Sequence, residues 1–205
     1  MLVREWVRDP MIQVQVESPV ALQRLGFLDR DDAGVVGALG RRGPGRVAVA
    51  QGIGDPDRNA SVWVAANHTG YKSAYFAFLS RVYAIDASSH RLPGYDIDHL
   101  LNRARSPQGL SMIRIEAVPS DANQAWGRLF EKAASDPRFY ANQNRERRTM
   151  SWIICAKLAG QMPPLGPNDT AGINRLANFF APLGIPTAET RAGLSSILDF
   201  AYKFR

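Results

Sequence analysis

The pattern of apolar and polar residues predicts several short strands. Residues 11–16 alternate between apolar and polar side chains, which is typical of a strand with one buried face. Further β-type runs lie at residues 47–50, 61–66 and 111–118, between turn-forming residues such as Gly, Pro and Asp. A short strand-like segment, residues 95–99, follows a loop rich in Ser, Pro and Gly. A sheet of short strands is therefore expected.

Apolar residues spaced three and four apart predict helices. The clearest case is residues 71–83, whose apolar side chains fall on one face, so that this face should be buried. Ser18 is expected to cap a short helix over residues 19–25. The other predicted helices cover residues 29–39, 123–134, 139–158, 170–180 and 187–204.

These elements predict an α+β protein that forms one domain over residues 1–205. Its N-terminal part, residues 1–93, mixes short strands and helices, residues 94–134 form a strand–strand–helix element, and residues 135–205 are helical. A hydrophobic content of 45% is enough to fill a core in a chain of 205 residues. Because charged residues make up only 21%, a folded protein is expected rather than a disordered one.

The net charge of +6 at pH 7 favours anionic partners, and nucleic acid is the first candidate. Much of the excess comes from arginine, whose planar guanidinium group can hold a phosphate through two hydrogen bonds. The single cysteine, Cys155, excludes an intrachain disulfide and a cysteine-rich zinc site. Because it lies in an apolar run, we expect a buried and inert thiol.

The sequence predicts no membrane insertion. Residues 1–9 carry charges throughout, unlike a signal peptide, and no stretch approaches the roughly 20 apolar residues that cross a bilayer. We therefore expect a cytoplasmic protein, although a non-classical secretion route would leave no such mark.

The residues that best suggest chemistry are Asp98, His99 and Asn123. Asp98 and His99 end the first strand of the element, and Asn123 falls at the start of the helix that follows the second strand. Ser120 or Asp121 is expected to cap that helix. As an alternative to a functional role, the Asp-His pair would be an ordinary surface pair and Asn123 an ordinary helix cap.

This arrangement resembles the HNH, or ββα-metal, nucleases, over residues 94–134. The match consists of Tyr-Asp-Ile-Asp-His at 95–99, a strand ending at Pro119, and Ser-Asp-Ala-Asn at 120–123. The chain departs from the family pattern where Arg114 replaces an Asn that ties the loop to the first strand. It also has no histidine in residues 124–134.

The resemblance implies a metal-dependent phosphodiester hydrolase. His99 would act as the general base, since a neutral imidazole can accept a proton from water near pH 7. Asp98 and Asn123 would supply oxygen ligands to a divalent metal, with Mg²⁺ expected. Asp96 is an alternative ligand. Adjacent strand residues point to opposite faces, so Asp98 and His99 can share a site only if the strand ends or bends there.

Basic residues surround the predicted site in sequence. Arg103 and Arg105 follow His99, and Arg128 lies on the predicted helix, so all three are expected to bind the substrate backbone. Residues 145–148 (Arg-Glu-Arg-Arg) would extend this basic track, although an ordinary solvated helix face accounts for them equally well.

The function expected from the sequence is therefore an endonuclease, with DNA favoured over RNA. The setting would be a toxin, phage defence or mobile-element cleavage, and the sequence does not choose among them; a free-standing toxin would need an acidic inhibitor or immunity protein as a partner. The alternative is a non-catalytic basic module that binds nucleic acid or protein. A second place for a phosphate is residues 67–70 (Asn-His-Thr-Gly), between a strand and a helix. There, His68 is expected to cap or pack, and His90 to be exposed and inert.

Overall fold

The fold is α+β, with an antiparallel sheet and helices. The computed structural model describes residues 12–24, 47–50, 60–86, 89, 91–106, 111–131 and 148–203. Contacts divide the chain into two compact units, which we call the sheet unit and the helical unit. The sheet unit consists of Gln13–Ala117 and Asn144–Arg148, and the helical unit of Met1–Ile12, Val118–Gln143 and Thr149–Arg205. The predicted single domain with three subregions stays a prediction.

In the described part of the chain the sheet has six strands. They are β1 (Gln13–Val16), β2 (Val47–Ala50), β3 (Ser61–Ala65), β4 (Tyr95–His99), β5 (Met112–Pro119) and β6 (Arg148–Thr149). The strand order is β2-β3-β5-β1-β6, and β4 also pairs with β5. The pairs β2-β3, β3-β5 and β1-β5 are antiparallel, with Val62 opposite Ile115 and Gln15 opposite Ile113. The sheet is therefore centred on β5, which leads directly into the predicted site helix.

Both faces of β3 are buried. Val62 and Val64 belong to a core that includes side chains of α2 (Tyr71–Tyr83). Trp63 and Ala65 pack instead with α1 (Pro19–Arg24). Because successive strand residues point to opposite faces, α1 and α2 cover opposite sides of this strand. β3 ends at Ala65 and α2 begins at Tyr71, so a short turn of residues 66–70 joins the two.

The helical unit contains four α-helices in its described part. They are α3 (Ser120–Trp126), which continues as a π-helical turn over Gly127–Glu131, α4 (Trp152–Leu158), α5 (Thr170–Phe180) and α6 (Thr187–Lys203). Trp126 is 1% exposed, and its Nε1 donates to the carbonyl oxygen of Gln161 at 2.6 Å. The rings of Trp152 and Phe180 meet edge to face, with centroids 5.0 Å apart. No helix in the described ranges is long and apolar enough to span a membrane.

Side-chain caps start several helices. Ser18 Oγ accepts the amide of Ala21 at 3.1 Å, which confirms the predicted cap of α1. Asp169 caps α5 through the amide of Gly172 at 2.9 Å, and it also accepts the amide of Leu165 at 2.8 Å. The predicted cap of α3 is wrong, because the helix already includes Ser120 and its cap position is Pro119, with no side-chain cap bond.

The predicted helix over residues 139–158 is wrong over residues 148–151 and confirmed over Trp152–Leu158. Arg148–Thr149 forms β6 beside β1, and α4 begins only at Trp152, where Ser151 Oγ accepts the amide of Ile154 at 3.4 Å. Sheet pairing and the serine cap therefore override the helical pattern. The predictions for residues 29–39, His90 and residues 139–147 lie outside the described residues. Cys155 is fully buried as predicted, and burial raises the pKa of its thiol to about 12.

Candidate functional site

Strand β4 ends at His99, the residue that the sequence predicts to be the general base. A tight turn precedes it, in which the amide of Tyr95 donates to the carbonyl oxygen of Leu92 at 3.0 Å and Gly94 has a φ of 79°, a left-handed conformation that favours glycine. Within β4, Ile97 and His99 are buried, whereas Asp96 and Asp98 are half-buried. The alternation of a strand thus persists to His99, where the strand ends, and it directs Asp98 and His99 to opposite faces of β4. That the two side chains share one site stays a prediction.

The loop after His99 is tied to β5 through the backbone. The amide of Leu100 donates to the carbonyl oxygen of Arg114 at 2.9 Å. Arg114 is the residue at which the chain departs from the pattern of the HNH nucleases, and only its peptide carbonyl takes part in this hydrogen bond. Its side chain instead forms an ion pair with Glu116, in which Nη2 lies 2.8 Å from Oε1.

His99 lies in a mostly buried environment within the sheet unit. Its ring centroid is 4.4 Å from that of Tyr71, the first residue of α2, and the two planes are tilted by 53°. The side chain is 7% exposed, and its Nε2 has no hydrogen-bond partner among the described residues.

The protonation state of His99 follows from this environment. Burial is the largest cause that lowers its pKa, to about 4, with smaller contributions from Arg103 and His68, while the carboxylate of Asp98 raises it. The imidazole is therefore neutral at pH 7. A neutral imidazole with an uncommitted ring nitrogen can accept a proton or a hydrogen bond from a molecule that reaches it.

His68 is the neighbour that sequence reasoning set aside. It is 7% exposed and lies in the turn between β3 and α2, where its amide donates to the carbonyl oxygen of Ala65 at 2.8 Å. A Cβ built on Gly70 would meet its Nε2 at 3.1 Å, so the imidazole lies over the start of α2. The feature of the sequence that pointed to His68 was its place in the Asn-His-Thr-Gly segment, between a predicted strand and a predicted helix.

The remaining predicted residues are divided between the units. Arg103 is exposed and Arg105 half-buried, in a 3₁₀ turn that follows His99 in the sheet unit. Asn123, half-buried on α3, and Arg128, exposed in the π-helical turn, belong to the helical unit. Asn123 is not the cap of α3, which begins at Ser120. Within the sheet unit, His99 interacts electrostatically with Asp98, Arg103 and His68.

The predicted metal ligands are oxygen atoms of Asp98, Asn123 and, as the alternative, Asp96. Within the described ranges, no three or more His, Cys, Asp or Glu side chains form a group that could hold a metal ion. In the sheet unit, the half-buried carboxylate of Asp98 is near enough to His99 to raise the pKa of its imidazole. So sparse a set does not fit a closed site of the zinc type, and a hard cation such as Mg²⁺ that keeps several water ligands stays a prediction.

Comparison of the chain with protein-family models, curated proteins and solved structures finds no match. The fold places the chain only in the broad class of α+β proteins. The resemblance to the HNH nucleases rests on the sequence motif described above.

Proposed function

We propose that this protein is a metal-dependent endonuclease that hydrolyses phosphodiester bonds in nucleic acid, with DNA as the favoured substrate. The observation that carries the proposal is the uncommitted Nε2 of a neutral imidazole, His99, at the end of β4. A general base must be unprotonated at the working pH, and its acceptor nitrogen must not be occupied by a structural hydrogen bond.

The order of elements supports the same proposal. β4 pairs with β5, and α3 begins directly after β5, which is the strand–strand–helix order of the HNH nucleases. The hydrogen bond from the Leu100 amide to the Arg114 carbonyl oxygen holds the loop that follows His99. The net charge of +6 favours approach of a polyanion.

A divalent metal would neutralise negative charge on the phosphate and the leaving oxygen. Asp98 would supply an oxygen ligand from the sheet unit, with Asp96 as the alternative on the same strand. Asn123, the other ligand that the sequence predicts, belongs to the helical unit and stays a prediction. His99 would accept the proton of the attacking water, and Arg103 would contact the backbone phosphate.

The burial of His99 favours a second candidate, a basic module that binds nucleic acid without cleaving it. At 7% exposure, His99 gives a large substrate little direct access. In this case the basic residues bind the phosphate backbone, and the histidine is a packed neutral side chain.

Cleavage assays with plasmid DNA and with RNA, each in Mg²⁺ and in EDTA, separate the two candidates. For the endonuclease we expect metal-dependent cleavage that falls at least about 100-fold in His99→Ala and strongly in Asp98→Ala. Asp121→Ala is the matched control, because Asp121 is an exposed acid in the first turn of α3. Circular dichroism confirms that each variant folds.

If neither polymer is cleaved under any condition and nucleic-acid affinity is unchanged in a folded His99→Ala variant, the endonuclease proposal is wrong and the binding module is favoured. Asn123→Ala is assayed separately. Retention of full activity in this variant removes Asn123 from the ligand set without affecting the role of His99.

A further inference from the structure

Residues 161–167, which we call the proline loop, lie between α4 and α5 in the helical unit. They carry the most exposed large apolar side chain of the described ranges, Leu165, at 88% exposure. Met162, in the same loop, is 43% exposed. Three of the seven residues are prolines, whose rings fix the backbone φ angle. The loop therefore presents apolar side chains on a backbone with little conformational freedom.

Side chains of two helices hold the first half of the proline loop. The carbonyl oxygen of Met162 accepts a hydrogen bond from Arg175 Nη2, on α5, at 3.1 Å. The carbonyl oxygen of Pro164 accepts one from the hydroxyl of Tyr202, on α6, at 3.0 Å. The backbone on the N-terminal side of Leu165 is thus fixed to the body of the helical unit.

Asp169 holds the second half of the loop. Its carboxylate accepts the amide of Leu165 at 2.8 Å and the amide of Gly172 at 2.9 Å, and its own amide donates to the carbonyl oxygen of Gly166 at 3.1 Å. With its backbone fixed on both sides, Leu165 projects into solvent. A side chain that is already held in place binds a partner with little loss of conformational entropy.

The charges near the proline loop favour an anionic partner. Arg175 is exposed and contacts the loop, whereas both carboxylate oxygens of Asp169 already accept backbone amides. The whole chain carries a net charge of +6. Some DNA-binding proteins insert Leu, Met or Pro side chains between base steps of the minor groove and so kink the duplex. Leu165 has the apolar character, the exposure and the fixed backbone that such an insertion needs.

We propose that Leu165 enters the minor groove of duplex DNA as a wedge that partly unstacks one base step, with Met162 beside it and Arg175 at a neighbouring phosphate. The inference deepens the proposed function, on which it rests for nucleic acid as the partner. TA and CA steps are the expected sites, because they are the most easily kinked.

Unstacking can be measured on the full chain in EDTA, which prevents metal-dependent cleavage. Short duplexes carry a fluorescent adenine analogue at a TA step, and its emission rises when the base is unstacked. The same duplexes with a donor and an acceptor dye at their ends report bending. We expect the emission to rise and the ends to approach each other, as for a kink of about 20–90°. The analogue inside a stiff A-tract should respond less.

Two variants and a matched control test the wedge. Leu165→Ser should abolish the rise in emission and raise the Kd for the duplex about tenfold, because the burial of the leucine side chain is lost. Leu165→Phe should keep both signals, since phenylalanine also serves as a wedge. Val20→Ser should change neither, because Val20 is 53% exposed but lies on α1, in the sheet unit. Circular dichroism confirms that each variant folds.

A duplex that binds without a rise in emission, or a rise that survives in Leu165→Ser, would overturn the wedge. Equal Kd values for the wild-type chain and Leu165→Ser would also overturn it and would point to a protein partner for the proline loop. If DNA is cleaved in Mg²⁺ but is not unstacked in EDTA, the proposed function stands and this inference is wrong. Unstacking that depends on Leu165, with no cleavage in Mg²⁺, would support the wedge and favour the binding module over the endonuclease.

Discussion

The imidazole of His99 packs on the phenol ring of Tyr71, with ring centroids 4.4 Å apart. His99 ends a strand and Tyr71 begins a helix, so this contact joins two elements of the sheet unit at the proposed site. Because burial is the largest cause of the low pKa of His99, we infer that the packing of Tyr71 against its ring helps to keep this pKa low.

Removing the phenol ring should therefore raise the pKa of His99. In Tyr71→Ala, we expect the pKa to move from about 4 towards the ordinary value of 6.5, because water gains access to the ring. Titration of the His99 Hε1 resonance by NMR measures the change. Tyr95→Ala is the matched control, since Tyr95 is 51% exposed on β4. A pKa that stays near 4 in Tyr71→Ala would contradict the role of this contact.

The low pKa of His99 also predicts how the free energy of unfolding depends on pH. The unfolded state binds a proton on this histidine near pH 6.5, and the folded state does so only near pH 4. The contribution of His99 to the free energy of unfolding is therefore fully present above pH 6.5 and is lost as the pH falls towards 4. The whole contribution is about 3 kcal/mol, at about 1.4 kcal/mol for each tenfold change in proton affinity.

Urea unfolding at pH 7 and pH 5 tests this expectation. The wild-type chain should lose about 2 kcal/mol more than His99→Gln over this interval, because glutamine does not titrate. Asp169, whose pKa is lowered by the amides of Leu165 and Gly172, contributes at more acidic pH and does not interfere. Equal losses in both proteins would show that His99 is not buried in its neutral form.

The tie between Leu100 and Arg114 should not depend on the arginine side chain. Since the acceptor is the peptide carbonyl, Arg114→Ala should keep the tie and cost only about 1 kcal/mol or less through the lost ion pair with Glu116. Hydrogen exchange of the Leu100 amide should be unchanged in this variant. Faster exchange there would mean that the side chain, and not the peptide, holds the loop.

Gly172 should resist replacement even though alanine favours helices. A Cβ at this position would overlap the carboxylate of Asp169, which caps α5. We expect Gly172→Ala to destabilise the helical unit by about 1–3 kcal/mol, as is usual for overpacking, measured by urea unfolding. Gly166→Ala is the control, because no described atom lies within 4 Å of a Cβ built there. A neutral effect of Gly172→Ala would mean that the cap can move aside at little cost.

The sequence predicted the elements whose patterns are strong and local. Periodicity alone located α2, α5 and β5 within about a residue, since each repeats its apolar face over enough turns or pleats to be read. It missed β6, because a strand of two residues is defined by its neighbour in the sheet and not by its own pattern.

The candidate site was predictable only in part. Asp98 and His99 were identified from their position at a strand end, and the strand does end there. The contact of His99 with Tyr71 and its proximity to His68 depend on how α2 packs against the sheet, which no local pattern encodes. The burial of His99 was unforeseen for the same reason.

The position of β1 between β5 and β6 has a consequence for the order of folding. As the ribosome releases the chain, β1 and β5 can pair long before Arg148 and Thr149 exist, and until then the outer edge of β1 offers unpaired amides and carbonyls. A nascent or truncated chain that ends before residue 148 would therefore expose an edge of β1 that can pair with a strand of another chain. Pairing of β6 with β1 covers this edge.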